Sequence, residues 1–233
     1  MTRLSRRELI KGTSLAGVAA VAGAAGSAWA QQRAGTEAPA SPAPEGERRE
    51  DVLTYFSDEE ARFVRAAVDR LIPADDEWGG AEEAGVLYYI DRQLSSAYGA
   101  GAKLYLSGPW DPEAPAQQGY QLRYSPAGLY RAAIAEVRDR VKQTHGGTEF
   151  WDLGPDDMDE ALSDMEHAEL PLASVPSDVF FETLLANTIE GFFSDPVYGG
   201  NRGMVGWKMV GFPGAFAQYA GLVDQHGFEL KRE

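Results

Sequence analysis

Apolar residues recur every three or four positions through most of residues 53–228, a spacing typical of amphipathic helices. Ser57 and Glu60 form a capping box at the start of the first predicted helix, and Pro73 follows its end. Ser125 and Pro126 give a second clear helix start. Six helices are predicted, over residues 57–72, 81–98, 125–146, 155–167, 177–192 and 213–225.

Strand signals are sparse, because no alternating apolar–polar run of useful length occurs between the predicted helices. The sequence therefore predicts a mainly α fold, a single compact helical domain over residues 53–228 with a short tail at 229–233. Two long segments, 101–124 and 194–212, contain aromatic residues among Gly and Pro and are predicted to be loops. Loops of this length are often functional, and their aromatics suit packing against the core or against a partner.

The N-terminal segment contains paired arginines, Arg6 and Arg7, followed by a mildly apolar run over residues 12–25. That run is mainly Gly, Ala and Ser, whereas a spanning helix needs about 20 strongly apolar residues. Small residues at Ala28 and Ala30 predict signal cleavage before Gln31. We therefore expect a twin-arginine signal peptide over 1–30 and a flexible, Pro- and Ala-rich linker over 31–52.

The twin-arginine translocase exports proteins that have already folded in the cytoplasm. The common reasons for this route are a cofactor inserted before export or a partner assembled before export. The signal therefore predicts a periplasmic protein that holds a cofactor or travels with a protein that does.

The formal net charge of the chain is −15 at pH 7. Removal of residues 1–30 takes away four basic residues and one acid, so 17 basic and 35 acidic residues remain and the charge becomes −18. Such a surface repels nucleic acid and anionic lipid. The chain has no cysteine, which excludes disulfides, thiolate-ligated iron–sulfur clusters and covalent haem attachment through a C-x-x-C-H motif.

Candidate chemistry is limited. Glu190 and Asp195 lie five residues apart, and such a pair can act as acid and base if burial separates their pKa values. The structural alternative is that Asp195 caps a turn and Glu190 accepts backbone N–H groups of the following loop. His145, His167 and His226 each fall near a predicted helix end without metal-ligand spacing, which favours contacts with helix termini.

The run Gly199-Gly200-Asn201-Arg202-Gly203 is rich in glycine and carries a basic residue, as phosphate-binding loops do. It follows a helix rather than a strand and matches neither the G-x-G-x-x-G nor the G-K-[ST] pattern. We therefore expect these glycines to permit tight turns rather than to bind a nucleotide.

The most specific feature is Asp195-Pro196-Val197-Tyr198-Gly199-Gly200-Asn201, followed by Trp207 and by a Gly-Phe-Pro-Gly run at 211–214. This block resembles the gluconate 2-dehydrogenase subunit 3 family. Residues 71–73, 84–91, 119–121 and 180–181 agree with the same family, so that the resemblance covers about residues 56–214.

The resemblance implies the small subunit of a bacterial FAD-dependent sugar or sugar-acid dehydrogenase. In that family a large flavoprotein of the glucose–methanol–choline type holds FAD and oxidises the substrate. A multi-haem cytochrome c subunit commonly accepts the electrons and anchors the complex to the membrane. The small subunit often carries the export signal for the pair, so this chain is expected to hold no catalytic residue, cofactor or metal itself.

The predicted partner-facing residues lie in the two loops, with Trp110, Tyr120, Tyr198 and Trp207 as aromatic anchors. The same aromatics could instead belong to the core, and the sequence leaves both interpretations open. Two other functions also remain open at this point: a standalone exported binding domain, and a small periplasmic hydrolase that uses Glu190 and Asp195.

Overall fold

A computed structural model describes residues 52–111 and 114–212 of the chain. Within these ranges it contains helices and turns but no strand, which confirms the mainly α prediction. The predicted signal, almost all of the linker, the predicted helix at 213–225 and the tail lie outside the described residues. The six described α-helices are α1 (Asp58–Leu71), α2 (Val86–Leu94), α3 (Pro126–Thr144), α4 (Pro155–Glu166), α5 (Ser177–Phe193) and α6 (Val205–Met209).

The predicted capping box at the start of α1 is present. The Ser57 hydroxyl accepts a hydrogen bond from the Glu60 backbone N–H, and the Glu60 carboxylate accepts one from the Ser57 backbone N–H. Helix α1 ends at Leu71, two residues before Pro73, and buries Phe63 and Val64 in the core. Periodicity and capping therefore placed this helix correctly.

Helix α5 is the central element, because α1, α2, α3, α4 and α6 all pack against it. Phe180, Leu184 and Phe192 are fully buried along its length. Aromatic rings fill the space around it: Tyr130 of α3 meets Phe180 edge-on, with ring centroids 5.4 Å apart. A helix buried on several sides must satisfy its terminal backbone groups within the protein, since little water reaches them.

The prediction of one helix over 81–98 is wrong in its length, since α2 covers only Val86–Leu94. Residues 81–85 form a turn in which the Ala81 N–H donates to the Ile72 carbonyl and Gly85 adopts a left-handed φ of 73°. Ala81 and Ala84 are buried within this turn, so their spacing continues the helical pattern without a helix. After Leu94 the helix is followed by turns, in which the Gly99 N–H donates to the Gln93 carbonyl.

The prediction that 194–212 has no regular structure is also wrong. This segment contains the 3₁₀ turns Pro196–Tyr198 and Arg202–Met204 and then the short helix α6. These elements are too short to produce a recognisable apolar period. Asn201, Gly203 and Met204 have left-handed backbone conformations that separate them.

The buried carboxylate of Asp91 fixes the chain entering the domain. It accepts hydrogen bonds from the backbone N–H groups of Thr54, Tyr55 and Phe56 at 2.7–2.9 Å, and from the Thr54 hydroxyl at 2.9 Å. Only 1% of the Asp91 surface is exposed. The segment that precedes α1 is therefore attached to α2 by charge-assisted bonds.

None of the described helices is both long enough and apolar enough to cross a membrane.

Replacing Asp91 by Asn should lower the free energy of unfolding by about 2–4 kcal/mol, because an amide NH₂ would then face backbone donors. Asp139→Asn, at an exposed position of α3, is the matched control and should change it by less than about 0.5 kcal/mol. Urea unfolding measures both values. Equal stability of the two variants would show that the Asp91 bonds do not hold the entry segment.

Candidate functional site

The Asp195–Asn201 block begins with a capped turn. The Asp195 side chain accepts a hydrogen bond from the Val197 N–H at 3.0 Å, and Pro196 starts the 3₁₀ turn Pro196–Tyr198. The turn ends at Gly199, whose left-handed φ of 102° favours glycine. The predicted capping role of Asp195 and the predicted tight turn at the glycines are confirmed.

The next glycine brings two backbones into direct contact. A Cβ placed on Gly200 would lie 2.1 Å from the carbonyl oxygen of Gly191 in α5. Gly191 is itself packed against the ring of Tyr89, since a Cβ there would lie 2.8 Å from that ring. Glycine at both positions therefore lets the loop, α5 and α2 approach closely.

Asn201 and Trp207 close the carboxyl end of α5. The fully buried Asn201 amide donates to the Ser194 carbonyl at 2.8 Å and accepts from the Gly206 N–H at 2.9 Å. The Trp207 indole N–H donates to the Phe193 carbonyl at 2.8 Å. Helix ends leave carbonyl groups unpaired, so these bonds satisfy backbone acceptors that the packed loop shields from water.

An open groove of about 470 Å³ lies beside this closed helix end. The structure brings the predicted pair Glu190 and Asp195 together in its wall. Its lining comes from α2, from the end of α5 and from the capped turn, and includes Tyr89, Gln93, Glu190, Phe193, Asp195 and Tyr198.

The Glu190 carboxylate interacts with the nearby Tyr89 hydroxyl. Among the described residues, no backbone N–H of the following loop donates to Glu190, so the bond that the sequence suggested is not formed there. Partial burial raises the pKa of the Glu190 carboxyl, and the Tyr89 hydroxyl opposes that shift. Burial, and then the charge of Glu190, raises the pKa of Tyr89 to about 12, so Tyr89 is a neutral donor at physiological pH.

The loop that follows α2 reaches the same region. The Tyr98 hydroxyl donates to the Asn187 amide oxygen at 3.2 Å, and the Asn187 amide donates to the buried Tyr130 hydroxyl at 3.0 Å. The Tyr120 hydroxyl donates to the Tyr124 carbonyl at 2.7 Å, and burial raises the pKa of Tyr120 to about 12. The Tyr98 bond attaches this loop to α5, and the Tyr120 bond closes the end of the loop just before α3.

The predicted aromatic anchors occupy two kinds of position. Trp110 and Tyr198 are exposed, Tyr198 by 57%, whereas Tyr120 and Trp207 are partly buried and hydrogen-bonded within the chain. As partner contacts, all four stay predictions. The same segment of the chain exposes further apolar side chains, and we call the following set the 197–212 patch: Val197, Tyr198, Met204, Val210 and Phe212.

Sequence reasoning did not identify Tyr89, Tyr98 and Asn187 as parts of this region. Asn187 gave a usable signal, because it is a polar residue within the apolar run of α5. Tyr89 and Tyr98 gave none, since their contacts join α2 and the following loop to residues about 90–100 positions later in the chain.

The two described histidines lie at the ends of different helices. His145 and His167 are the C-cap residues of α3 and α4, and each ring lies near a helix carbonyl, as predicted for residues at helix ends. The described ranges contain no group of three or more His, Asp or Glu residues suited to a metal ion. His226 lies outside them.

The groove is better suited to recognition than to turnover. Asp195 is engaged in its cap, and the Ser194 hydroxyl donates to the Gly191 carbonyl at 3.1 Å. The groove wall carries two carboxylates beside tyrosine rings, an arrangement that attracts a cation. The Arg92 guanidinium of α2 lies against Gly199, next to this wall.

The model of the family described as gluconate 2-dehydrogenase subunit 3 matches residues 58–214. The chain belongs to the gluconate 2-dehydrogenase subunit 3 family. The match includes every described α-helix and the whole Asp195–Asn201 block. No curated protein and no solved structure gives a significant match. Membership in the subunit 3 family indicates a small subunit that forms a complex with a larger dehydrogenase subunit.

Gly200→Ala should destabilise this subunit 3 protein by about 3 kcal/mol, because the new Cβ would meet the Gly191 backbone, which cannot move aside as a flexible side chain can. Gly203→Ala is the control, since its Cβ would have open space and only the left-handed φ of 64° to oppose it, at about 1 kcal/mol. Urea unfolding compares them. If Gly200→Ala were no worse than the control, the proposed close contact would be wrong.

Glu190→Gln should raise the melting temperature at pH 7. Burial raises the pKa of Glu190 above its unfolded value, so ionisation penalises the folded state at neutral pH. That penalty disappears as the pH falls below about 4, where the unfolded chain is protonated as well. Glutamine keeps an acceptor for Tyr89. Thermal unfolding at pH 7 and pH 4 tests this, and a lower melting temperature than wild type at pH 7 would contradict it.

Proposed function

We propose that this chain is the non-catalytic small subunit of a periplasmic FAD-dependent dehydrogenase complex. Its role is to assemble with the larger, FAD-bearing subunit and to carry that subunit through the twin-arginine pathway. The main observation behind this proposal is the 197–212 patch, a set of exposed apolar residues within the part of the chain that matches the family.

The positions of the block's side chains support a non-catalytic role. Asp195, Asn201 and Trp207 hydrogen-bond to backbone groups of the loop and of α5. The glycines provide close backbone approach and left-handed turns. The block therefore acts on the shape of the protein rather than on a substrate.

The 197–212 patch supports a protein partner. Val197 is 74% exposed and Val210 is 54% exposed, and they occur with an exposed Tyr, Met and Phe. Aromatic residues and Met are enriched in protein interfaces, and clustered exposed apolar surface commonly marks them. Hydrogen bonds of Asn201 and Trp207 fix this segment to the end of α5. The surface is therefore preorganised and loses little entropy when a partner binds.

The N-terminal sequence supports export of that partner. Arg6 and Arg7 begin a twin-arginine motif, and this route accepts folded proteins. A flavoprotein that binds FAD in the cytoplasm can cross with this chain if the two assemble first. A multi-haem cytochrome c subunit that receives the electrons and attaches the complex to the membrane completes the proposed assembly.

Arg6→Lys combined with Arg7→Lys should retain both this chain and the larger subunit in the cytoplasm, because in this proposal the signal of this chain exports both subunits. The matched control is Arg3→Lys, which makes the same chemical change outside the pair and should leave export unchanged. Cell fractionation, immunoblots of both subunits and periplasmic flavin content measure the result. An active, flavin-loaded larger subunit in the periplasm of the double variant would contradict co-export.

A further inference from the structure

The groove beside the capped turn combines negative charge with aromatic faces. Glu190 and Asp195 line it, together with the rings of Tyr89 and Tyr198. Tyr198 belongs both to the groove lining and to the 197–212 patch, and it is 57% exposed. A side chain that enters the groove therefore meets the accessible ring of Tyr198.

The described part of this chain already pairs arginine with an aromatic ring and a carboxylate. The Arg131 guanidinium lies 4.5 Å from the centre of the Tyr55 ring and 3.0 Å from the Glu60 carboxylate. The Arg138 guanidinium lies 5.1 Å from the centre of the Trp151 ring, and its Nη2 lies 2.9 Å from the Glu149 carboxylate. The groove offers the same two kinds of contact.

We propose that the groove receives an arginine side chain of the larger dehydrogenase subunit, held between the tyrosine rings and the Glu190 and Asp195 carboxylates. This inference rests on the proposed function, because it names what the partner inserts. It turns a general docking surface into a specific anchor point.

Arginine fits the groove better than lysine for two reasons. Its planar guanidinium stacks on aromatic faces, and its fixed set of donors reaches two carboxylates at once. Hot-spot residues of interfaces are enriched in arginine and are surrounded by contacts that exclude water. Val197, which precedes Tyr198 in the chain and is 74% exposed, provides apolar surface next to that ring.

Opposite charge on the partner is the expected complement to this chain. The predicted mature chain has a formal charge of −18, so a basic region of the larger subunit is attracted to it over long range. Glu190 and Asp195 lie in the groove, where an arginine that contacts them would be partly desolvated. Charge pairs contribute more to binding when they are desolvated.

The test measures the affinity of the purified small subunit for the larger, FAD-bearing subunit at two salt concentrations. The variant combines Glu190→Gln with Asp195→Asn, which removes both charges but keeps acceptors for the Tyr89 hydroxyl and the Val197 N–H. The matched control combines Glu166→Gln with Glu182→Gln, two exposed carboxylates on α4 and α5 with the same change in net charge.

The groove variant should bind about tenfold more weakly at low salt and should lose much of the salt dependence of wild type. The control should change affinity by less than about twofold, as is usual for peripheral charges. Equal affinities of the two variants would overturn the arginine anchor. In that case, binding of the wild-type small subunit to the larger subunit would still support the proposed function. If wild type itself failed to bind the larger subunit, both proposals would be overturned together.

Chemical footprinting identifies the inserted side chain. A dicarbonyl reagent that modifies arginine is applied to three samples: the larger subunit alone, its complex with the wild-type small subunit, and its complex with the groove variant. The groove variant is added at a concentration high enough to saturate the larger subunit. One arginine should be protected by wild type and modified with the variant. Identical protection of every arginine in both complexes would overturn the assignment, as would selective protection of a lysine in a parallel amine-labelling experiment.

Discussion

The carboxyl end of α5 is the constraint on which the described structure depends. Five other helices pack against α5, so its last carbonyl groups lie among protein atoms. Ser194, Asn201 and Trp207 supply side-chain donors to carbonyls of this end and of the connecting residue. Without these hydrogen bonds, neither the capped turn nor the groove beside it would have a fixed position. Helix α6 would also lose its packing against α5.

The same closure links fold to function. The loop that satisfies α5 turns its remaining apolar side chains outward, and these form the 197–212 patch. Asp195 both caps the turn and contributes a carboxylate to the groove. A small subunit that holds a larger dehydrogenase subunit benefits from such a surface, because a rigid loop loses less entropy on binding than a mobile one. The gluconate 2-dehydrogenase subunit 3 family, to which the chain belongs, indicates such a complex with a larger subunit.

The sequence predicted elements whose signals are local. The capping box at Ser57 and the Ser–Pro start of α3 follow from neighbouring residues, and the structure contains both. Glu190 and Asp195 were paired because they are close in sequence. The interaction of Tyr89 with Glu190 was not predictable, since it depends on how α2 packs against α5. The helix predicted over 81–98 began too early, because the buried turn before α2 contains Ala81 and Ala84 and, apart from one glycine, no residue that marks a break in the helical pattern.

The most direct test of the central claim is to isolate the tagged protein from the periplasmic fraction of its native cells, where the proposed export would place it. The absorbance spectrum of the co-purifying material is then recorded. A small subunit should co-purify with a larger protein that shows flavin bands, and mass spectrometry should identify that protein as a dehydrogenase. A haem Soret band would add the cytochrome subunit. A colourless protein recovered alone, under conditions that keep complexes intact, would contradict the account.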